Sequence, residues 1–226
     1  MKIRFPIAGT AMAVVLALTF ASMSTQATEG VTLPAPQKDI PASTAVTPDT
    51  AVFAGGCFWG VEAVYRHVKG VKSAVSGYAG GDATTANYET VGSGRTGHAE
   101  SVQVVYDPSV VTYGELLRIF FSVAHDPTEL NRQGPDVGTQ YRSAIFTRSD
   151  AQMQVAKAYI AQLDAARVFG NPIVTVVSPL PAFYRAEEYH QNYLALHPDQ
   201  PYIVYNDLPK LQQLKVRFPD RYIAAR

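Results

Sequence analysis

AVFAGGCFWGVEAVYRHVKG, residues Ala51 to Gly70, changes its periodicity halfway along. Its first six residues are a short apolar run ending in two glycines, which suits a buried strand. From Cys57 onward, Val61, Val64, Tyr65 and Val68 recur at the i, i+3, i+4, i+7 spacing of one helix face, and Gly70 is expected to end that helix. A strand therefore turns into a helix at Gly55-Gly56-Cys57. Downstream, VKSAVSGYAGG reads as a strand running into a glycine turn, and after a polar loop SVQVVYD (Ser101 to Asp107) alternates as a strand does. Thr112 with Glu115 forms a capping-box signature ahead of Leu116, Ile119, Phe120 and Val123 on one helical stripe. SAIFT (Ser143 to Thr147) is a further strand. Ser149 with Gln152 repeats the capping signature before a helix striped by Met153, Ala156, Ile160 and Leu163, and IVTVVSPL reads as the last strand. The order up to Thr147 is strand, helix, strand, strand, helix, strand, the split βαβ pattern of ferredoxin-like α+β folds. The expected fold is that core with a mixed sheet, an appended last strand and added C-terminal helices.

On the N-terminal side, Lys2 and Arg4, an apolar run from Ile7 to Phe20 and small residues ending in Thr25-Gln26-Ala27 have the layout of a cleavable export signal, residues 1–27. Cleavage is expected after Ala27, with Ala21 the competing site. The apolar run of 14 residues is short for a spanning helix, which needs about 20, although an uncleaved signal would tether the protein to a membrane. Residues 28–50 carry Pro34, Pro36, Pro41 and Pro48 among small and polar residues and read as a flexible lead-in outside the fold. Residues 51–226 fit one domain. Without the signal, 17 basic residues face 19 acidic ones, so there is no basic excess for nucleic acid. An exported, periplasmic monomer is the expectation.

Cys57 is the only cysteine, so no internal disulfide can form. A lone cysteine is ordinarily a small, inert core residue. A cysteine at a helix start between glycines, however, meets unpaired N–H groups and the helix dipole, which favour a thiolate nucleophile with a pKa below the free value of about 8.5. Other signals carry less. GSGRTG (Gly92 to Gly97) satisfies G-x-G-x-x-G but leads into a strand, without an acidic residue about 20 positions on, and reads as a loop beside the active site. His67, His98, His125, His190 and His197 show no zinc-type pairing. His190 lies 133 residues after Cys57, a separation compatible with a cysteine peptidase, but the papain-type signature around the cysteine is not met. A peroxide-reducing thiol enzyme and a noncatalytic peptide-binding module are further alternatives.

GCFWGVE, GYAGG, TGHAESVQVVYDP, HDPT, GPDVGTQYRSAIF and AEEYHQNYL, in that order between Gly56 and Leu194, closely resemble the peptide methionine sulfoxide reductases of the A type. The resemblance spans nearly all of the chain after residue 50. It implies an α+β enzyme that reduces the S epimer of methionine sulfoxide, free or in peptides, without a metal or bound cofactor. It makes Cys57 the nucleophile on the sulfoxide sulfur, Phe58 and Trp59 the apolar wall for the S-methyl group and Glu100 the acid that protonates the oxygen. Tyr88 and Tyr141 become phenols that hydrogen-bond that oxygen, and Asp136 a supporting polar residue.

These residue types suit the chemistry. A thiolate does not easily expel oxide from sulfur, so the oxygen must gain a proton as the new bond forms. A buried carboxyl kept protonated supplies it, and a positioned acid contributes about 10² to 10⁴ in rate. Phenols remain neutral donors at pH 7. An aromatic wall excludes water and gives a chiral sulfoxide one orientation. Attack leaves a sulfenic acid, which condenses with another thiol. Many relatives supply that thiol from a glycine-rich tail. Near its C-terminal end this chain has HPDQPYIVYNDLPKLQQLKVRFPDRY (His197 to Tyr222), without a cysteine, and resembles the branch that lacks a resolving cysteine. The reductant is therefore expected to be external, a thioredoxin-like protein or a small thiol.

Overall fold

The computed structural model describes residues 33–42 and 47–224. The expected export signal and its cleavage point lie outside the described residues. In chain order the elements are β1 (Asp49–Gly55), α1 (Phe58–Arg66), β2 (Val71–Ala79), α2 (Tyr88–Gly92), β3 (Ala99–Tyr106) and α3 (Tyr113–Ile119). The short strands β4 (Arg132–Gln133) and β5 (Asp136–Val137) follow, then β6 (Ser143–Thr147), α4 (Asp150–Ala165), β7 (Val176–Pro179), β8 (Phe183–Arg185), α5 (Tyr193–Leu196) and α6 (Leu208–Arg217).

Six strands form one sheet in the order β7-β6-β1-β3-β2-β8. Its inner four, β6-β1-β3-β2, run antiparallel to one another, each to the next, as two interleaved βαβ units require. β7 pairs parallel to β6 and makes the sheet mixed. The expected α+β core with added C-terminal helices is thus present.

Alternation along β1 divides its side chains between two faces. Ala51 and Phe53 join Val102 and Val104 of β3 in the main core beneath the helices, while Val52 and Ala54 join Ala144 and Phe146 in a smaller cluster on the other face. Phe53 stacks on Tyr65 of α1 at 5.2 Å and on Phe120 at 5.1 Å, contacts each contributing about 0.5–1.5 kcal/mol beyond area burial. The Tyr65 hydroxyl donates to the Leu116 carbonyl at 3.0 Å and joins α1 to α3. The Thr112 box is complete: its hydroxyl accepts from Glu115 N and the Glu115 carboxylate accepts from Thr112 N. The Ser149 signature is half a box. Ser149 accepts from Gln152 N, but the Gln152 carboxamide goes to Arg148 N and, at 2.9 Å, to the Thr50 carbonyl on β1.

The fold departs from the sequence reading in six places. α1 ends at Arg66, with His67 its C-cap, before Gly70. The polar loop after β2 contains α2, whose N-cap Asn87 accepts from Thr90 N. The buried side of α4 is Gln152, Val155, Ala156, Tyr159 and Leu163, rotated from the expected stripe because Gln152 is held by β1 and Tyr159 donates to the Pro34 carbonyl. IVTVVSPL is not the last strand, since β8 pairs with the free edge of β2. Finally, residues 33–42, expected to lie outside the fold, are docked on it. Leu33 is buried, its carbonyl accepts from Arg118, and Asp39 accepts from Thr112 Oγ1 at 2.5 Å and Gly114 N at 2.8 Å. β1 itself begins two residues earlier than Ala51.

Candidate active site

Gly56 turns β1 into α1 with φ of +88°, a conformation natural to glycine, and a Cβ there would lie 2.5 Å from the Gln133 side chain. The turn delivers Cys57 to the N-cap of α1. Its side chain lies in a hollow of about 280 Å³ that all seven residues singled out above line together: Cys57, Phe58, Trp59, Tyr88, Glu100, Tyr141 and Asp136. Gln200 and Tyr202 complete the wall.

Glu100 comes from β3, where it stands opposite Tyr78 of β2 and on the same face as Val102 and Val104. It is 4% exposed, and its Oε2 accepts the Phe58 N–H at 3.1 Å. Burial raises the Glu100 pKa from 4.5 to about 8, with the Asp136 and Asp207 charges adding to the rise and the Phe58 bond opposing it. At pH 7 the carboxyl is therefore held mainly in its protonated form.

The thiol departs from its expectation. Cys57 is 7% exposed, and burial, followed by the Glu100 and Asp207 carboxyls, pushes its pKa well up; the Trp59 N–H and Lys210 pull it down by less. The helix-start argument names a real interaction, but desolvation outweighs it. The resting hollow thus holds a thiol and a carboxylic acid.

Tyr88 begins α2, and its N–H donates to Glu187 at 2.9 Å. Tyr141 ends a short 3₁₀ turn (Thr139–Tyr141) that is tied to the GSGRTG loop: Thr139 Oγ1 donates to the Gly94 carbonyl at 2.6 Å and Arg142 to the Gly97 carbonyl at 2.8 Å. The loop thus has a mechanical role beside the hollow. Burial, then the Glu100 charge, raises both phenol pKa values, so both remain donors.

The indole is clamped on three sides. Tyr193 stacks on Trp59 at 3.8 Å and 6°, Tyr202 meets it edge-on, and the Trp59 Nε1–H donates to His190 Nδ1 at 3.2 Å. His190 is buried and holds no hydrogen bond to Cys57 among the described residues, so a Cys–His peptidase dyad lacks its base. Asp136 accepts a short hydrogen bond from the Tyr202 hydroxyl. Sequence reasoning missed Gln200 and Tyr202, which lie far along the chain with no local signature, and Tyr193, which falls within AEEYHQNYL but was given no role there. It also missed Asp207, whose carboxylate occupies the space left by Gly60 and pairs with Lys210 at 3.2 Å. Among the described residues no group of three or more His, Cys, Asp or Glu could hold a metal ion.

Comparison with known proteins gives a consistent result. The family model described as Peptide methionine sulfoxide reductase matches residues 49–222. A peptide methionine sulfoxide reductase MsrA 2 of Mesorhizobium japonicum is 63% identical over 174 residues, 77% of this chain and 89% of its own length. Its namesake in Synechocystis is 52% identical over 191 residues, covering 84% and 89%. Among solved structures, reduced Mxr1 of Saccharomyces cerevisiae is similar with a TM-score of 0.61 at 40% identity, over 72% of this chain and 90% of that one. Methionine sulfoxide reductase A of Corynebacterium diphtheriae gives 0.58 at 38%, over 74% and 84%.

Proposed function

The chain belongs to the peptide methionine sulfoxide reductase family, and on that premise we infer how its residues share the work of the reaction. The protein is a peptide-methionine (S)-S-oxide reductase, acting in thiol-dependent repair of oxidised methionine. In our reading Phe58 and Trp59 hold the S-methyl group, and the sulfoxide oxygen points to Glu100, Tyr88 and Tyr141. Cys57 Sγ attacks the sulfoxide sulfur as the Glu100 carboxyl proton passes to the oxygen, and the thiol proton refills the carboxylate. The oxygen then transfers to Sγ as hydroxyl while the thioether leaves. Methionine is reduced by two electrons, Cys57 is oxidised to a sulfenic acid, and no proton is left over.

The observation that carries this reading is the shared hollow in which the only thiol meets a carboxyl held at about 8. Regeneration is proposed to use an external thioredoxin-like protein or small thiol: one thiol condenses with the sulfenic acid to give a mixed disulfide and water, and a second releases Cys57. What supports this is the absence of any other cysteine. An exported, periplasmic state, with a membrane tether if the signal is retained, is proposed from residues 1–27 alone.

Single turnover with the S epimer and no reductant tests the scheme. One methionine and one dimedone adduct at Cys57 are expected per enzyme, and neither from Cys57→Ser; an oxidised product silent to dimedone would refute it.

A further inference from the structure

With the methyl group, sulfur and oxygen assigned to partners, one polar side chain of the hollow has no task. Gln200 lines the hollow on a fixed backbone: its N–H donates to the His197 carbonyl at 3.2 Å and its carbonyl accepts from Val204 N at 3.0 Å. Its Oε1 is buried without a partner, and its Nε2 donates to nothing among the described residues. Gln133, Gln152, Gln162 and Gln191, by contrast, engage both ends of their carboxamides. The neighbouring Asp136 already accepts from Tyr202. A carboxamide unbonded at both ends inside a polar hollow is under-satisfied, and such groups gain their partner from a ligand or water. Dimethyl sulfoxide supplies a methyl group and an S=O but nothing for Gln200. The rest of a peptide-bound substrate is a peptide unit, and the end of the carboxamide that is not buried is the donor.

We propose that Gln200 is a specificity-determining residue that recognises the main chain of a peptide-bound methionine sulfoxide, its Nε2 donating to the carbonyl oxygen of the sulfoxide residue. This rests on the hollow being the sulfoxide site. The test compares kcat/KM for N-acetyl-methionine sulfoxide methylamide with that for dimethyl sulfoxide in wild type, Gln200→Leu and Gln200→Glu. One neutral hydrogen bond corresponds to a fall of about two- to tenfold in the ratio of the two values, expressed through KM. Both variants should show it when assayed at a pH at which the introduced carboxyl is ionised, since a carboxylate matches Gln in shape but only accepts. An unchanged ratio in Gln200→Leu, including an equal loss on both substrates, overturns the proposal, and so does a wild-type ratio in Gln200→Glu. Failure of wild type to reduce either sulfoxide would instead overturn the reading of the hollow itself.

Discussion

Glu100→Gln should make the protein more stable at alkaline pH and nearly inactive, because one burial produces both effects. The folded protein binds the Glu100 proton more tightly than the unfolded chain, at about 8 against an ordinary 4.5. This contribution to stability is complete below 4.5 and is lost as pH rises through about 8. Its size is on the order of 5 kcal/mol at 1.36 kcal/mol per tenfold change, an upper bound because a strained protein relaxes. Gln cannot ionise, and its carbonyl can still accept the Phe58 N–H. Urea unfolding should therefore find the variant level with wild type near pH 5 and several kcal/mol more stable at pH 9. Activity moves the other way. Between pH 7 and 9 the protonated fraction of a group at about 8 falls about tenfold, and the wild-type single-turnover rate of methionine release should fall with it. The variant should be slower by about 10² to 10⁴ and flat over that interval. A variant with the wild-type rate, with the same alkaline decline, or with no gain in stability at pH 9 would refute the assignment of a buried proton donor.

In the substrate-free protein the rate of Cys57 alkylation by iodoacetamide should keep rising past the ordinary thiol midpoint, because burial and the Glu100 carboxyl push that thiol up; a midpoint below about 8.5 would restore the helix-start expectation. Gly60→Ala places a methyl 2.1 Å from the buried Asp207 Oδ1 and should destabilise by about 1–3 kcal/mol in urea. Gly92→Ala, whose added carbon meets nothing within 4 Å, serves as its control. Asp39→Ala removes two hydrogen bonds at the start of α3 and should cost about 1–2 kcal/mol while exposing residues 33–42 to limited proteolysis. Unchanged proteolysis there would show that the contacts of Leu33, Pro34 and Ala35 hold the segment without Asp39.

The inner four strands and α1, α3 and α4 were legible because each carries its own apolar period and, for α3 and α4, its own cap. β8 was not: its three residues, FYR, come just after Pro181-Ala182 and form a strand only because the edge of β2 is open to them. The docking of residues 33–42 was hidden for a related reason. Most of it consists of backbone carbonyls at Leu33, Pro34 and Ala35 accepting from Arg118, Tyr159 and Gln162, and composition does not reveal a partner 85 to 127 positions away. At the site, the seven residues were legible through motif resemblance, and the hollow unites them. The thiol was misjudged because a helix start is local information, while the groups that bury and oppose it, Glu100 and Asp207, arrive from β3 and the C-terminal segment.

Glu100 belongs to the middle of the sheet, paired opposite Tyr78, whereas Tyr88 starts the short helix α2 and Tyr141 ends a 3₁₀ turn, both in connections between strands. Insertions between Gly80 and Gly97 could therefore be absorbed by drift of a phenol. A single residue added within Ala99–Tyr106 would instead rotate the acid through the sheet to the opposite side, where no sulfur waits for it. In this architecture the proton donor is indexed by strand pairing, and evolution is free to edit the rim of the site but not its ratchet.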